Sequence, residues 1–134
     1  MSLDPVLKEV MNHVGAEENP KTRYGVAKPS MATVPPVALV HLMLAMGNGA
    51  DKYGRMNWRE TSVLSSIYYA AAMRHLMAWF DGQELDADSG VHHLGHVMAC
   101  CAIILDANAC HTLDDDRPRP GTAAEVLKRY TKEI

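Results

Sequence analysis

A chain of 134 residues has room for one hydrophobic core and not for two. Its residues are 48% hydrophobic but only 6% aromatic, so the core is built from Ala, Leu, Val and Met, which favours packed helices over a β-sandwich. A formal charge of −3 leaves no basic face for a nucleic-acid backbone, and the three cysteines, an odd number with two adjacent, exclude a disulfide framework.

Asp4-Pro5 reads as a helix cap followed by proline in the first turn, and Val6, Val10 and Val14 recur at helical spacing up to Gly15. From Ala16 to Pro36 the chain is polar and broken by Pro20, Pro29, Pro35 and Pro36, which predicts an irregular excursion. Val37 to Met46 predicts an apolar helix ended by Gly47 and Gly49, with a polar loop from Ala50 to Glu60 after it. Thr61 or Ser62 can cap a long helix that runs to about Phe80 and is stopped by Gly82. Asp88 or Ser89 can cap the next helix, which carries Val91, Leu94, Val97, Met98, Cys101, Ile104 and Leu105. The two are expected to form an antiparallel hairpin within an all-α helical bundle. After Cys110, the Asp114-Asp115-Asp116 run and R-P-R-P-G read as a linker too polar to pack, and Thr122 to Tyr130 as a last amphipathic helix. The expected division is a core over residues 1–113 and a linker with C-terminal helix over 114–134. No uninterrupted apolar stretch reaches a membrane span, and the M-S-L-D-P start lacks the features of a signal peptide. A cytoplasmic protein with neither membrane nor nucleic-acid partners is expected.

The chemistry concentrates between Arg74 and His96, where four of the seven histidines fall together with Asp81, Glu84, Asp86 and Asp88. His92 and His96 are one helical turn apart, and His93 and His96 nearly so, which is metal-ligand spacing. His75 stands about as far before the bend as His93 and His96 stand after it, so antiparallel packing brings them to similar heights. Asp86 and Asp88 can complete a mixed N and O site, or serve as turn and cap residues. Asp106 lies about 27 Å along the helix from Asp88 at 1.5 Å per residue, too far to share a metal within one chain, and is expected to be an exposed or capping group. The stretch Ala50–Arg59 combines Lys52, Arg55 and Arg59 with Tyr53, Asn57 and Trp58: cations for phosphates, an aromatic face for a base and an amide for its edge. The plainer alternative is a surface loop anchored by Trp58. Arg74 can reach a phosphate or pair with a neighbouring acid.

The strings G-A-D-K-Y-G-R-M-N-W-R, A-A-A-M-R-H-L-M-A-W and D-A-D-S-G-V-H-H-L-G-H, in that order between Gly49 and His96, resemble the phage and bacterial dATP/dGTP diphosphohydrolases, including the MazZ type. The resemblance implies a MazG-like all-α nucleoside triphosphate pyrophosphohydrolase. Such enzymes release a dNMP and pyrophosphate from a dNTP with a divalent metal, Mn²⁺ or Mg²⁺ before Zn²⁺ or Co²⁺, and the MazZ type supplies dGMP for phage 2-aminoadenine DNA. On that reading His75, Asp86 and Asp88 are catalytic; His75, Asp86, Asp88, His93 and His96 hold metal; and Lys52, Tyr53, Asn57, Trp58 and Arg74 bind substrate.

His92-His93-Leu94-Gly95-His96 matches a superfamily motif often seen as E-E-L-G-D, so imidazoles stand where carboxylates are usual. Because the Lys52–Trp58 stretch precedes the long helix and the acidic bend lies at its far end, a homodimer or homotetramer with composite sites is expected, unless the loop folds back. The competing readings are a nucleotide sensor that has kept the pocket and lost the chemistry, and a structural helical module.

Overall fold

The computed structural model describes residues 4–12 and 19–134. The first helix, α1 (Pro5–Met11), begins as expected: the Asp4 carboxylate accepts the Val6 and Leu7 amides at 2.8 and 3.3 Å. Its expected end at Gly15 lies outside the described residues. The excursion that follows is more ordered than its prolines foretell. Pro20 opens α2 (Pro20–Val26) behind an Asn19 cap, and Ser30 caps a single 3₁₀ turn over Met31–Thr33. Proline at the first helical position lacks only an N–H that would have had no partner there, so it starts helices as readily as it breaks them.

The helix α3 (Pro36–Tyr53) is longer than expected. It runs through Gly47 and Gly49, because glycine inside a helix costs only about 1 kcal/mol against alanine. The stop is Gly54, at φ 93°, whose amide donates to the Ala50 carbonyl at 2.8 Å. Lys52 and Tyr53 are therefore the end of a helix, and the connecting loop is short, with one 3₁₀ turn over Asn57–Arg59.

The next helix, α4 (Ser65–Phe80), starts two or three residues later than a Ser62 or Thr61 cap would place it. Its N-terminus is capped from fifty residues away. The Asp116 carboxylate accepts the Ser66 amide at 2.8 Å and the Ser65 hydroxyl at 2.7 Å, and the Ser66 hydroxyl also donates to it. A two-residue parallel pair, β1 (Val63–Leu64) with β2 (Leu113–Asp114), delivers Asp116 there. The sheet was not foreseen, and the acidic run expected to be solvated linker is docked through Asp116.

Gly82, at φ 97°, follows α4 as expected. The bend closes through a bridge between Leu85 and His92 and reciprocal backbone bonds: Asp86 N–H to Val91 at 2.9 Å and Gly90 N–H to Asp86 at 2.8 Å. Neither Asp88 nor Ser89 caps α5 (His93–Ala109). That role falls to His92, whose Nδ1 accepts the Leu94 amide at 3.0 Å. Since the chain returns to β1 at the end of α5, α4 and α5 are antiparallel, and α5 packs against both α4 and α3. The α3–α5 crossing depends on Gly95, where a Cβ would lie 2.6 Å from the His41 carbonyl oxygen.

Among the described residues the buried set is small: Ala45, Trp58, Gly95, Ala99, Cys100 and Ala107, with Ser65 and His93. The C-terminal helix α6 (Ala123–Tyr130) is exposed at every residue. No helix among the described residues is long and apolar enough to cross a membrane.

Candidate functional site

Five elements wall a cleft of about 620 Å³. The end of α3 contributes Lys52 and Tyr53, the 3₁₀ turn Asn57 and Trp58, α4 Arg74 and His75, and the bend Asp86 and Asp88, while His96 reaches in from α5. All come from one chain. The extra turns of α3 carry Lys52 to the far end of α4, where its Nζ lies 3.4 Å from Asp88 Oδ2. The geometric reason for expecting a composite site therefore falls away. Sequence reasoning passed over Asn48 and Tyr68, which also line the cleft. Their signal was helical spacing: Asn48 is one turn before Lys52, and Tyr68 two turns before His75. Burial raises the Tyr68 phenol above its ordinary value.

The histidines are brought together, but not in equivalent positions. His75 stacks on His96 with ring centroids 4.5 Å apart and planes at 19°. His93 is buried behind them, outside the cleft lining, and its Nδ1 meets His75 Nδ1 at 2.9 Å. One neutral ring donates to the other across that contact, which leaves Nε2 as the ring nitrogen of His75 not engaged by His93. Nε2 of His93 and Nδ1 of His41 are buried without a hydrogen-bond partner. His92 lies outside the cleft lining, its ring centroid 5.0 Å from that of His41: its Nδ1 is spent on the helix cap, so Nε2 carries the proton and donates to Glu84 at 2.9 Å.

Asp86 is fixed by the bend. Ser89 donates its hydroxyl to Asp86 Oδ2 at 2.9 Å, and His96 Nε2 lies 2.7 Å from the same Ser89 oxygen. The one hydroxyl hydrogen goes to the carboxylate, so His96 Nε2 is the donor to Ser89. Burial opposes charge on Asp86, but hydrogen bonds from the Ser89 side chain and from the Asp88 and Ser89 backbone outweigh it and hold the carboxyl below its usual range. Burial lowers the His75 pKa, with His96 adding to the effect and Asp86 opposing it. Burial likewise lowers the His96 pKa, against the pull of Asp86. Both rings are neutral at pH 7.

Trp58 is 6% exposed, and its indole N–H is spent on Asp106 Oδ2 at 2.6 Å. Asp106 also takes Arg59 through two bonds, at 2.8 and 2.9 Å. Arg59 and then Trp58 push the carboxyl down to about 2. Asp106 stays outside the cleft lining, as its distance along α5 implied, but it is the anchor of the turn that holds Asn57.

Among the described residues, no three His, Cys, Asp or Glu side chains are arranged to hold a metal ion. The imidazoles do not fit a preformed centre, because His75 and His93 spend Nδ1 on each other and His96 spends Nε2 on Ser89. Asp86 and Asp88 line the cleft and are the side chains that would hold a cation of the Mg²⁺ type, which is commonly held by one or two carboxylates plus substrate phosphates rather than by an all-protein cage.

A family model described as the N-terminal part of dATP/dGTP diphosphohydrolases matches residues 18–117. The chain belongs to this dATP/dGTP diphosphohydrolase family. The matched stretch contains every residue of the cleft, the Asp106 anchor and the Asp116 cap, and it stops short of α6. No curated protein and no solved structure matches the chain.

Proposed function

We propose that this diphosphohydrolase-family chain hydrolyses a purine deoxynucleoside triphosphate, dGTP or dATP, to the monophosphate and pyrophosphate. One observation carries the reading: a single cleft sets three cations, Lys52, Arg55 and Arg74, with two carboxylates and two neutral imidazoles beside an aromatic and amide wall. Lys52 and Arg74 bind the phosphates, Lys52 exchanging its partner Asp88 for the triphosphate. Tyr53, exposed at the rim, stacks on the base, Asn57 reads its edge, and Trp58 forms the wall behind it. Asp86 and Asp88 hold Mg²⁺ or Mn²⁺ together with the substrate phosphates. Once bound, such a cation supplies charge neutralisation on the phosphates and a more acidic water. His75, kept neutral by burial and oriented through Nδ1 by His93, accepts a proton at Nε2 as water attacks phosphorus in line. His93 and His96 thus move from the metal set to positioning His75 and Asp86. A MazG-like affiliation, a cytoplasmic location and a contribution to phage 2-aminoadenine DNA belong to the same reading.

Product analysis across the four dNTPs with Mg²⁺ and Mn²⁺ tests it. Release of pyrophosphate and a purine dNMP is expected, with His75→Ala slowing turnover by about 10²- to 10⁴-fold, the range for losing a general base. Tight binding of a dNTP without any product would transfer the cleft to a sensor role.

A further inference from the structure

We infer that Asp106, which lines no part of the cleft, is a positioning residue for base selection: it holds the Asn57–Arg59 turn in the pose that meets a purine. The inference rests on the purine dNTP reading above and adds the residue that sets its selectivity. Asn57 and Trp58 face the cleft from this turn, while Arg59, its third residue, stands outside the lining.

Local structure alone does not hold the turn. It is closed by the Arg59 amide on the Met56 carbonyl at 3.0 Å and by the Glu60 and Thr61 amides on the Asn57 carbonyl at 3.1 and 3.0 Å. A single turn fixes its dihedrals for few bonds. Its entry residue, Met56, stands at φ 56°, in the left-handed region that is unfavourable for any residue with a Cβ. Such a conformation persists only where the surroundings impose it. Asp106 on α5 is that surrounding: Oδ2 accepts the Trp58 indole at 2.6 Å and Arg59 Nε at 2.8 Å, and Oδ1 accepts Arg59 Nη2 at 2.9 Å. Because the partners are consecutive residues, one carboxylate fixes the rotation of the turn as well as its distance from α5. Arg59, one of the cations the sequence offers for phosphate, is thereby committed to Asp106.

The phosphate and water chemistry sits on other elements. Lys52 is on α3, Arg74 and His75 are on α4, and Asp86 and Asp88 are in the bend. Where these side chains are hydrogen-bonded, the partners are one another, His93 and Ser89. A turn that has drifted therefore loses contacts to the base and keeps the chemistry, which reads as a rise in KM without a fall in kcat. A purely structural anchor gives the opposite split. Partial unfolding removes active molecules, which lowers apparent kcat for every dNTP equally and leaves KM and base preference where they were.

Steady-state kinetics with the four dNTPs, and calorimetric dNTP binding, test the assignment on the full chain and three variants. Asp106→Asn and Arg59→Met, both outside the cleft, should raise KM for the preferred purine about three- to tenfold, what one hydrogen bond to the base is worth, with kcat within about twofold. The purine-to-pyrimidine ratio of kcat/KM should narrow by the same factor. Asp106→Glu keeps the charge and both acceptors and should recover most of the preference. Should Asp106→Asn lose its helical circular dichroism, Arg59→Met carries the test, since Trp58 keeps its acceptor there. An unchanged base ratio overturns the proposal, whatever happens to the melting temperature. If the wild type turns over no dNTP, the hydrolase reading fails by itself and the ratio is read from dissociation constants. A purine preference that narrows in the variants then sustains the role of Asp106, and equal binding of all four dNTPs by the wild type overturns it.

Discussion

At the scale of single residues, the stack of His75 on His96 sets a pH dependence. Folding lowers both imidazole pKa values, chiefly by burial. The unfolded chain therefore holds more protons than the folded one between the ordinary histidine value, about 6.5, and the lower folded values. Stability from this pair is fully present above that ordinary value and is lost as pH falls through the window below it. The melting temperature should drop from pH 7.5 to pH 5.5, and the double variant His75→Gln, His96→Gln should show a flatter profile over that range. Equal slopes in the two proteins would mean that other groups set the dependence. The clustering of these histidines was legible in the sequence, because helical spacing and an antiparallel bend are enough to bring them level. Their ranking was not. That His93 sits behind His75, and that Ser89 lies between Asp86 and His96, depends on side-chain packing that spacing does not encode.

At the scale of elements, local signals were read correctly where a single residue decides them and wrongly where distant residues do. Gly82 after α4 and Asp4 before α1 act within their own turn. Asp116 on α4 and Asp106 on Arg59 and Trp58 join positions 47 to 50 residues apart, so nothing in the flanking sequence announces them. The glycines of α3 and α5 show the difference most clearly. Gly47 and Gly49 were read as a helix end, yet a Cβ at Gly47 would meet nothing within 4 Å, whereas Gly95 attracted no attention and holds two helices in contact. Opposite signs follow for one substitution. Gly47→Ala should stabilise by up to about 1 kcal/mol through helix propensity. Gly95→Ala should destabilise by about 1–3 kcal/mol, since the clash is with backbone and cannot be relieved by a rotamer change. Urea unfolding of the two variants measures both, and a stabilising Gly95→Ala would show that α3 and α5 do not cross as closely as described.

At the scale of the whole molecule, the chain divides between what the cleft needs and what it does not. Each wall of the cleft and each long-range anchor lies within residues 18–117, the extent of the family match. The segment from Asp114 to Asp116, although polar, belongs to the necessary part because it caps the helix that carries Arg74 and His75. Beyond it, α6 buries none of its residues, and an amphipathic helix of eight residues gains little stability unless it packs. A chain ending at Gly121 should therefore keep its circular dichroism per residue over the remaining helices, its association state and its dNTP turnover to within about twofold, a change of well under 1 kcal/mol in barrier height. A chain ending at Leu113 should not, because removal of Asp116 leaves the Ser66 amide and the Ser65 and Ser66 hydroxyls without their acceptor and loosens α4 from its N-terminal end. Comparing the two truncations by turnover and by melting temperature separates a dispensable tail from an integral one: equal loss in both would show that α6 contributes to the fold through contacts made only in the assembled protein.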